Sequence, residues 1–299
     1  MRSNKNIVYY VLITFLLVGL GSCNKNNDPN PDQVAFNAAD LVNGGRMYDK
    51  FWASETTFTT PSDPSVSLTD ISSYGDFYRC KACHAWEQKG TMESYIDRGP
   101  TTTRPNVSSF DLRASIASST IRQLFDAVKH DGGAAVDVAR TADGTNTSLG
   151  GDNMPDYGKI LTDEQIWDLV KFLKNGTFDT SLLYDIQTTG TYPTGSRTFS
   201  NVGKDGNAVA GKAFYDTNCA SCHGNNGRDD DQGAVLQINL NIGKSMGQFA
   251  RDKPYELQHK ARFGNLGSTP AMLGTGDVSI TDIKNMMKAL SDPTAYPSL

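Results

Sequence analysis

This 299-residue sequence predicts a helical protein built as two similar units in tandem. Two observations carry that expectation. A motif of two cysteines three apart, followed at once by histidine, occurs as Cys80-Lys81-Ala82-Cys83-His84 and again as Cys219-Ala220-Ser221-Cys222-His223. Around each copy, apolar residues recur at helical spacing, opened by capping residues and closed by glycine.

The chain opens on a stretch that reads as an export signal. Arg2 and Lys5 are basic, Ile7 to Leu20 is uncharged and apolar, and Leu20-Gly21-Ser22-Cys23 follows. The apolar run is too short to span a bilayer, which favours a cleaved signal over an anchor helix. It resembles a bacterial lipoprotein signal, which implies acylation of Cys23. Residues 24–36 are polar, with Pro29 and Pro31, and read as a flexible tether.

A first helix is expected from near Asn37, with Leu41, Tyr48 and Trp52 at helical spacing. Gly44 and Gly45 lie inside it, which suggests that another backbone crosses closely there. Residues 53–77 read as a surface excursion and 99–118 as loop. Ser119 to His130 reads as a helix with Ile121, Leu124, Phe125 and Val128 on one face. After Asn153-Met154-Pro155, Thr162 and Gln165 form a capping box ahead of the stripe Ile166, Leu169, Val170 and Leu173. Residues 181–206 read as a connection with room for a short hairpin. The second unit then repeats the first. Gly211-Lys212-Ala213-Phe214 echoes Gly45-Arg46-Met47-Tyr48, the second motif follows, and Met272 precedes a last helix from about Ser279 to Leu290. Spacing in the first unit is longer: His84 precedes Met154 by 70 residues, whereas His223 precedes Met272 by 49.

The motif itself points to chemistry. On one helical turn both thiols project the same way, and the imidazole rises beside them. That suits covalent haem: each sulfur adds to a vinyl group and the histidine coordinates the iron. No other paired cysteines complete a four-ligand zinc site. Of five cysteines, four lie in the motifs and the fifth is Cys23, so none is left for a disulfide or a thiol nucleophile. The net charge is −5 and argues against nucleic acid as a partner.

These residues together resemble class I c-type cytochromes of the exported di-haem kind. The resemblance implies an all-α fold of two tandem cytochrome c-like domains, each a small helical shell around a covalently bound haem. The implied organisation is a signal peptide at 1–22, a lipidated N-terminus and tether at 23–37, and a first domain at 38–180. A linker at 181–206 and a second domain at 207–299 complete it. The resemblance further implies two haem c groups, held through Cys80, Cys83, Cys219 and Cys222. His84 and Met154 would ligate the first iron, and His223 and Met272 the second. In that family the first and last helices of a domain cross at small residues, which fits Gly45 and Gly211.

Met272 is preferred over Met246 because it and Met154 lie alike, seven and eight residues before a capped helix. His130 and His259 are the rivals for bis-histidine ligation. Trp52, Trp86 and Trp167 receive no role. Iron closed on both faces favours an electron carrier, lipid-anchored on the outer side of a membrane, with protein redox donor and acceptor. The alternatives are a di-haem enzyme of peroxidase or thiosulfate-oxidising type, or the haem subunit of a dehydrogenase complex.

Overall fold

Local capping chemistry sets where the framing helices begin. The computed structural model describes residues 29–53, 75–101, 103–130, 154–228, 243–265 and 272–299. Helix α1 (Pro31–Ala38) starts at a capping Asn30, which accepts the Asp32 N–H, with proline at the first helical position. It occupies the stretch expected to be tether, because Phe36 is buried in the first core. Asp40, expected inside the first helix, instead caps α2 (Leu41–Lys50), accepting the Val42 and Asn43 N–H groups.

The first motif forms α3 (Cys80–His84). Helix α4 (Leu112–Ser118), capped by Asp111, lies in a stretch read as loop. Helix α5 (Ile121–Lys129) carries the Thr120–Gln123 capping box and ends at left-handed His130. Helix α6 (Asp163–Lys171) has the expected Thr162–Gln165 box and runs into a π-turn over Phe172–Gly176. The linker holds the hairpin β1 (Asp185–Thr189) and β2 (Ser196–Ser200), antiparallel with Asp185 opposite Ser200. In the second unit come α7 (Ala208–Asn218), α8 (Ala220–His223), α9 (Met246–Asp252) and α10 (Pro254–Phe263). The two-residue strands β3 (Gly264–Asn265) and β4 (Met272–Leu273) pair antiparallel, and α11 (Ile280–Leu290) closes the unit behind the Ser279–Asp282 box. The two small sheets are additions to an otherwise helical architecture.

In each unit the helix ahead of the motif and the last helix cross at a glycine, α2 with α6 and α7 with α11. A Cβ on Gly44 would lie 1.9 Å from the Asp168 carbonyl oxygen, and one on Gly211 1.8 Å from that of Asn285. The last helix also caps the one it crosses: Asp168 accepts the Asp40 N–H at 2.6 Å, and Asn285 the Asn207 N–H at 2.7 Å. The repeat therefore aligns Gly44 with Gly211 and Tyr48 with Tyr215. This corrects the expected pairing of Gly45 with Gly211 by one residue. Gly45 faces the other unit, where its Cβ would meet the Phe263 ring at 2.5 Å.

The two cores interlock. Phe263 of α10 is buried with Met47, Phe51 and Ile166 of the first unit, while Ala85 and Trp86 of the first unit join Tyr215, Ile283 and Leu290 of the second. The hairpin reaches back as well. Tyr192 donates to Asn106 Oδ1 at 2.7 Å and accepts the Val107 N–H at 3.0 Å. Helix α10 had no apolar stripe to announce it, because it is covered on both faces and buries Gln258, His259 and Arg262. Proline at its first position was its legible signal.

Candidate functional site

Each motif is held by a tyrosine from the helix ahead of it in its own unit, α2 or α7. The Tyr48 hydroxyl donates to the Ala85 carbonyl at 2.7 Å, and the Tyr215 hydroxyl to the Gly224 carbonyl at 2.9 Å. Both acceptors directly follow the motif histidine, and both residues have positive φ, 61° for Ala85 and 77° for Gly224. That backbone region belongs to glycine, since a Cβ is strained there. The sequence difference after the first motif thus stores strain. Replacing Ala85 by glycine is expected to stabilise the protein by about 1 kcal/mol, and Gly224→Ala to cost a similar amount. Denaturant unfolding of the two variants checks the pair of signs.

Around α3, two chambers share a wall. One of about 640 Å³ is lined by Cys80, Cys83, His84, Met154, Pro155 and Tyr157 among others. A second of about 210 Å³ adds Tyr48, Leu124, Val128 and Leu169, and shares Cys80, His84 and Met154. Met154, 70 residues away in the chain, is thereby brought to the same space as the motif. The Tyr157 hydroxyl fixes the entry to α3 by donating to the Tyr78 carbonyl at 2.8 Å, and the Cys83 carbonyl accepts the Ser108 N–H at 2.8 Å. The hairpin contributes Thr191 and Tyr192 to the rim.

The second unit's chamber, about 370 Å³, is lined by Cys219, His223, Met246, Phe249, Leu257 and Met286, together with the outer face of α10. Met246 is thus on the wall. For Met272 the backbone is described: it pairs with Asn265, which also lines the chamber. Its predicted ligand role falls on a side chain outside the described residues, as Cys23 does entirely.

The rival histidines stand elsewhere. His259 lines neither haem-sized chamber. Its ring packs against Trp86 with centroids 4.7 Å apart, and against Phe263 at 4.9 Å, Phe172 at 5.7 Å and Tyr48 at 6.1 Å. His130, at the end of α5, lines none of the chambers described above.

The residues present fit covalent haem. Burial pushes the Cys80 thiol up to about 12 and the Cys219 thiol up to about 11, so neither is a ready thiolate. A neutral thioether sulfur suits such surroundings, whereas a thiolate metal ligand does not. Burial likewise lowers His84 to about 4, leaving the neutral imidazole that iron ligation requires. Among the described residues, no three His, Cys, Asp or Glu side chains converge as a metal site of their own.

A buried charge cluster lies directly behind α3. Asp49 is 1% exposed. Arg79 pairs with it and donates its Nε–H to the Asp49 carbonyl at 2.7 Å, and Lys260 of α10 reaches its Oδ2 at 2.5 Å. Burial alone would raise the Asp49 pKa, but Lys260, Arg79 and Lys81 together hold it well below the usual carboxylate range. None of this cluster was legible beforehand, since Asp49 and Lys260 are 211 residues apart.

Two covalent-haem motifs, each at a largely apolar chamber and each pinned by a tyrosine, define a two-domain haem protein of the c type. The cytochrome c family model matches residues 76–177 and 208–290, and the chain belongs to the cytochrome c family. No curated protein and no solved structure was found to match it.

Proposed function

We propose that this di-haem c-type cytochrome is a membrane-tethered carrier that relays single electrons between two redox proteins. What supports the reading is Met154, which borders both chambers that Cys80 and His84 line. A methionine opposite the motif histidine would close the iron and leave no position for substrate. Bound haem supplies a reversible one-electron change, and thioether ligation raises its potential. The chain's own residues do the rest. Cys80, Cys83, Cys219 and Cys222 hold the two groups, His84 presents neutral imidazole, and His223 would ligate the second iron. Tyr48 and Tyr215 fix the backbone behind each histidine. The second iron takes Met272, as the repeat indicates, with Met246 as the alternative on the wall. Acylation of Cys23 would supply the anchor, on the outer side of a bacterial membrane. Among the described residues no helix is long and apolar enough to cross a bilayer. The acidic chain would suit a donor or acceptor with a basic face.

A pyridine haemochrome assay is expected to find two c-type haems per chain, and the reduced protein to bind carbon monoxide slowly or not at all. One haem or none would overturn the architecture. The larger first chamber, with Thr91, Asn106 and Ser108 on its rim, favours a second reading as a di-haem enzyme. Rapid stoichiometric carbon monoxide binding at the first haem would favour it. Cys23→Ser is expected to move the protein from the membrane fraction to the soluble one.

A further inference from the structure

Helix α10 stands between the second unit's chamber and the first domain. Leu257, Lys260 and Ala261 line the chamber of the second unit. His259, Arg262 and Phe263, on the opposite face by helical spacing, are buried against the first domain. From the first site a covalent connection runs through the chain itself, since Ala85 and Trp86 directly follow His84. The Tyr48 hydroxyl holds the Ala85 carbonyl between them. Trp86 is 3% exposed, and its ring lies against that of His259 with centroids 4.7 Å apart. The next residue, Lys260, is on the wall of the second unit's chamber.

We propose that Trp86 and His259 form the bridge through which one electron passes between the two haem sites. This rests on the carrier reading and names its internal path. Each passage takes one electron from a ferrous centre and reduces the ferric one, with no bond made and no proton moved. Trp86 conducts without being oxidised. The ammonium group of Lys260 lies 5.3 Å from its ring centroid, and a cation beside a ring opposes loss of an electron from it. A second observation points the same way. His259 Nε2 is buried and makes no hydrogen bond among the described residues. Such a group costs stability, and the ring also makes a backbone hydrogen bond to Gly45 of the first domain. Its neighbour Lys260 fixes the bridge in place by gripping Asp49 across the domain boundary.

The test uses the full-length holoprotein, reduced by less than one electron in a flash, with equilibration between the haems followed optically. Trp86→Leu and His259→Leu are expected to slow it by roughly tenfold, with both visible spectra and both midpoint potentials retained. Trp86→Phe should restore most of the rate. Phe263→Leu, which loosens the same interface off the path, should leave it unchanged. A rate insensitive to both bridge substitutions would overturn the proposal, as would equal slowing by Phe263→Leu. If either leucine variant fails to fold, the Trp86→Phe rate and the other variant still decide. Fast carbon monoxide binding to wild type would sink the carrier reading instead, and the rate series would still test the path on its own.

Discussion

Replacing Asp49 by asparagine is expected to destabilise the holoprotein by about 3 kcal/mol at neutral pH. The side chain keeps its shape and an acceptor oxygen, so packing is hardly changed. What is lost is the negative charge that Arg79 and Lys260 share in a buried site. Removing one member of a buried pair leaves the other uncompensated, and that penalty exceeds anything the pair contributes in place. Lys260 is 13% exposed and can turn partly outward, which holds the effect at the lower end of such losses. The pH dependence follows from the direction of the shift. The folded-state pKa of Asp49 is depressed below its ordinary value of 3.8. Its stabilisation is therefore complete above about pH 4 and is lost as pH falls through the lower folded value. The gap between wild type and Asp49→Asn should narrow below pH 4. Denaturant unfolding at pH 7 and pH 3 checks this, and a constant offset would mean that folding does not shift the Asp49 pKa.

Met154→Ala is expected to open the first iron and leave the second closed. Met154 is the methionine among the lining residues of both first-domain chambers, and alanine cannot reach across either. The visible spectrum should gain a high-spin component, one of the two haems should bind carbon monoxide rapidly, and the potential of that haem should fall. The second domain supplies the matching comparison. Met272→Ala should open only the second haem. If Met246→Ala does so instead, the ligand comes from the start of α9, and placement before a capped helix does not mark it. If neither Met154→Ala nor a second-domain variant changes the spectrum, methionine ligation is wrong at both sites.

How much of this was legible follows from the range of the interactions concerned. The haem motifs, the capping boxes at Thr162 and Ser279 and the glycines in the first helices are local signals. Backbone geometry over three or four residues decides each of them, so they survive reading one residue at a time. The repeat was visible too, but off by one. Gly44 and Gly45 are indistinguishable until it is known which of them faces Asp168 and which faces Phe263. The equivalence of Tyr48 and Tyr215 could have settled that from the four-residue spacing shared by Gly44–Tyr48 and Gly211–Tyr215.

Helices α9 and α10 escaped because amphipathic period reports a helix with one wet face. Helix α10 has a domain on one side and a chamber on the other, and its buried face uses histidine and arginine. The sequence by itself determined where the two haem-attachment motifs and their histidines stand, and that helices ahead of and behind each motif frame it. Covalent attachment and capping need only neighbours in the chain. Tertiary structure alone decided that the two domains share cores, that Asp49 of one answers Lys260 of the other, and that Trp86 meets His259. Those contacts join residues more than 170 positions apart, and nothing in the local pattern of either partner encodes the other.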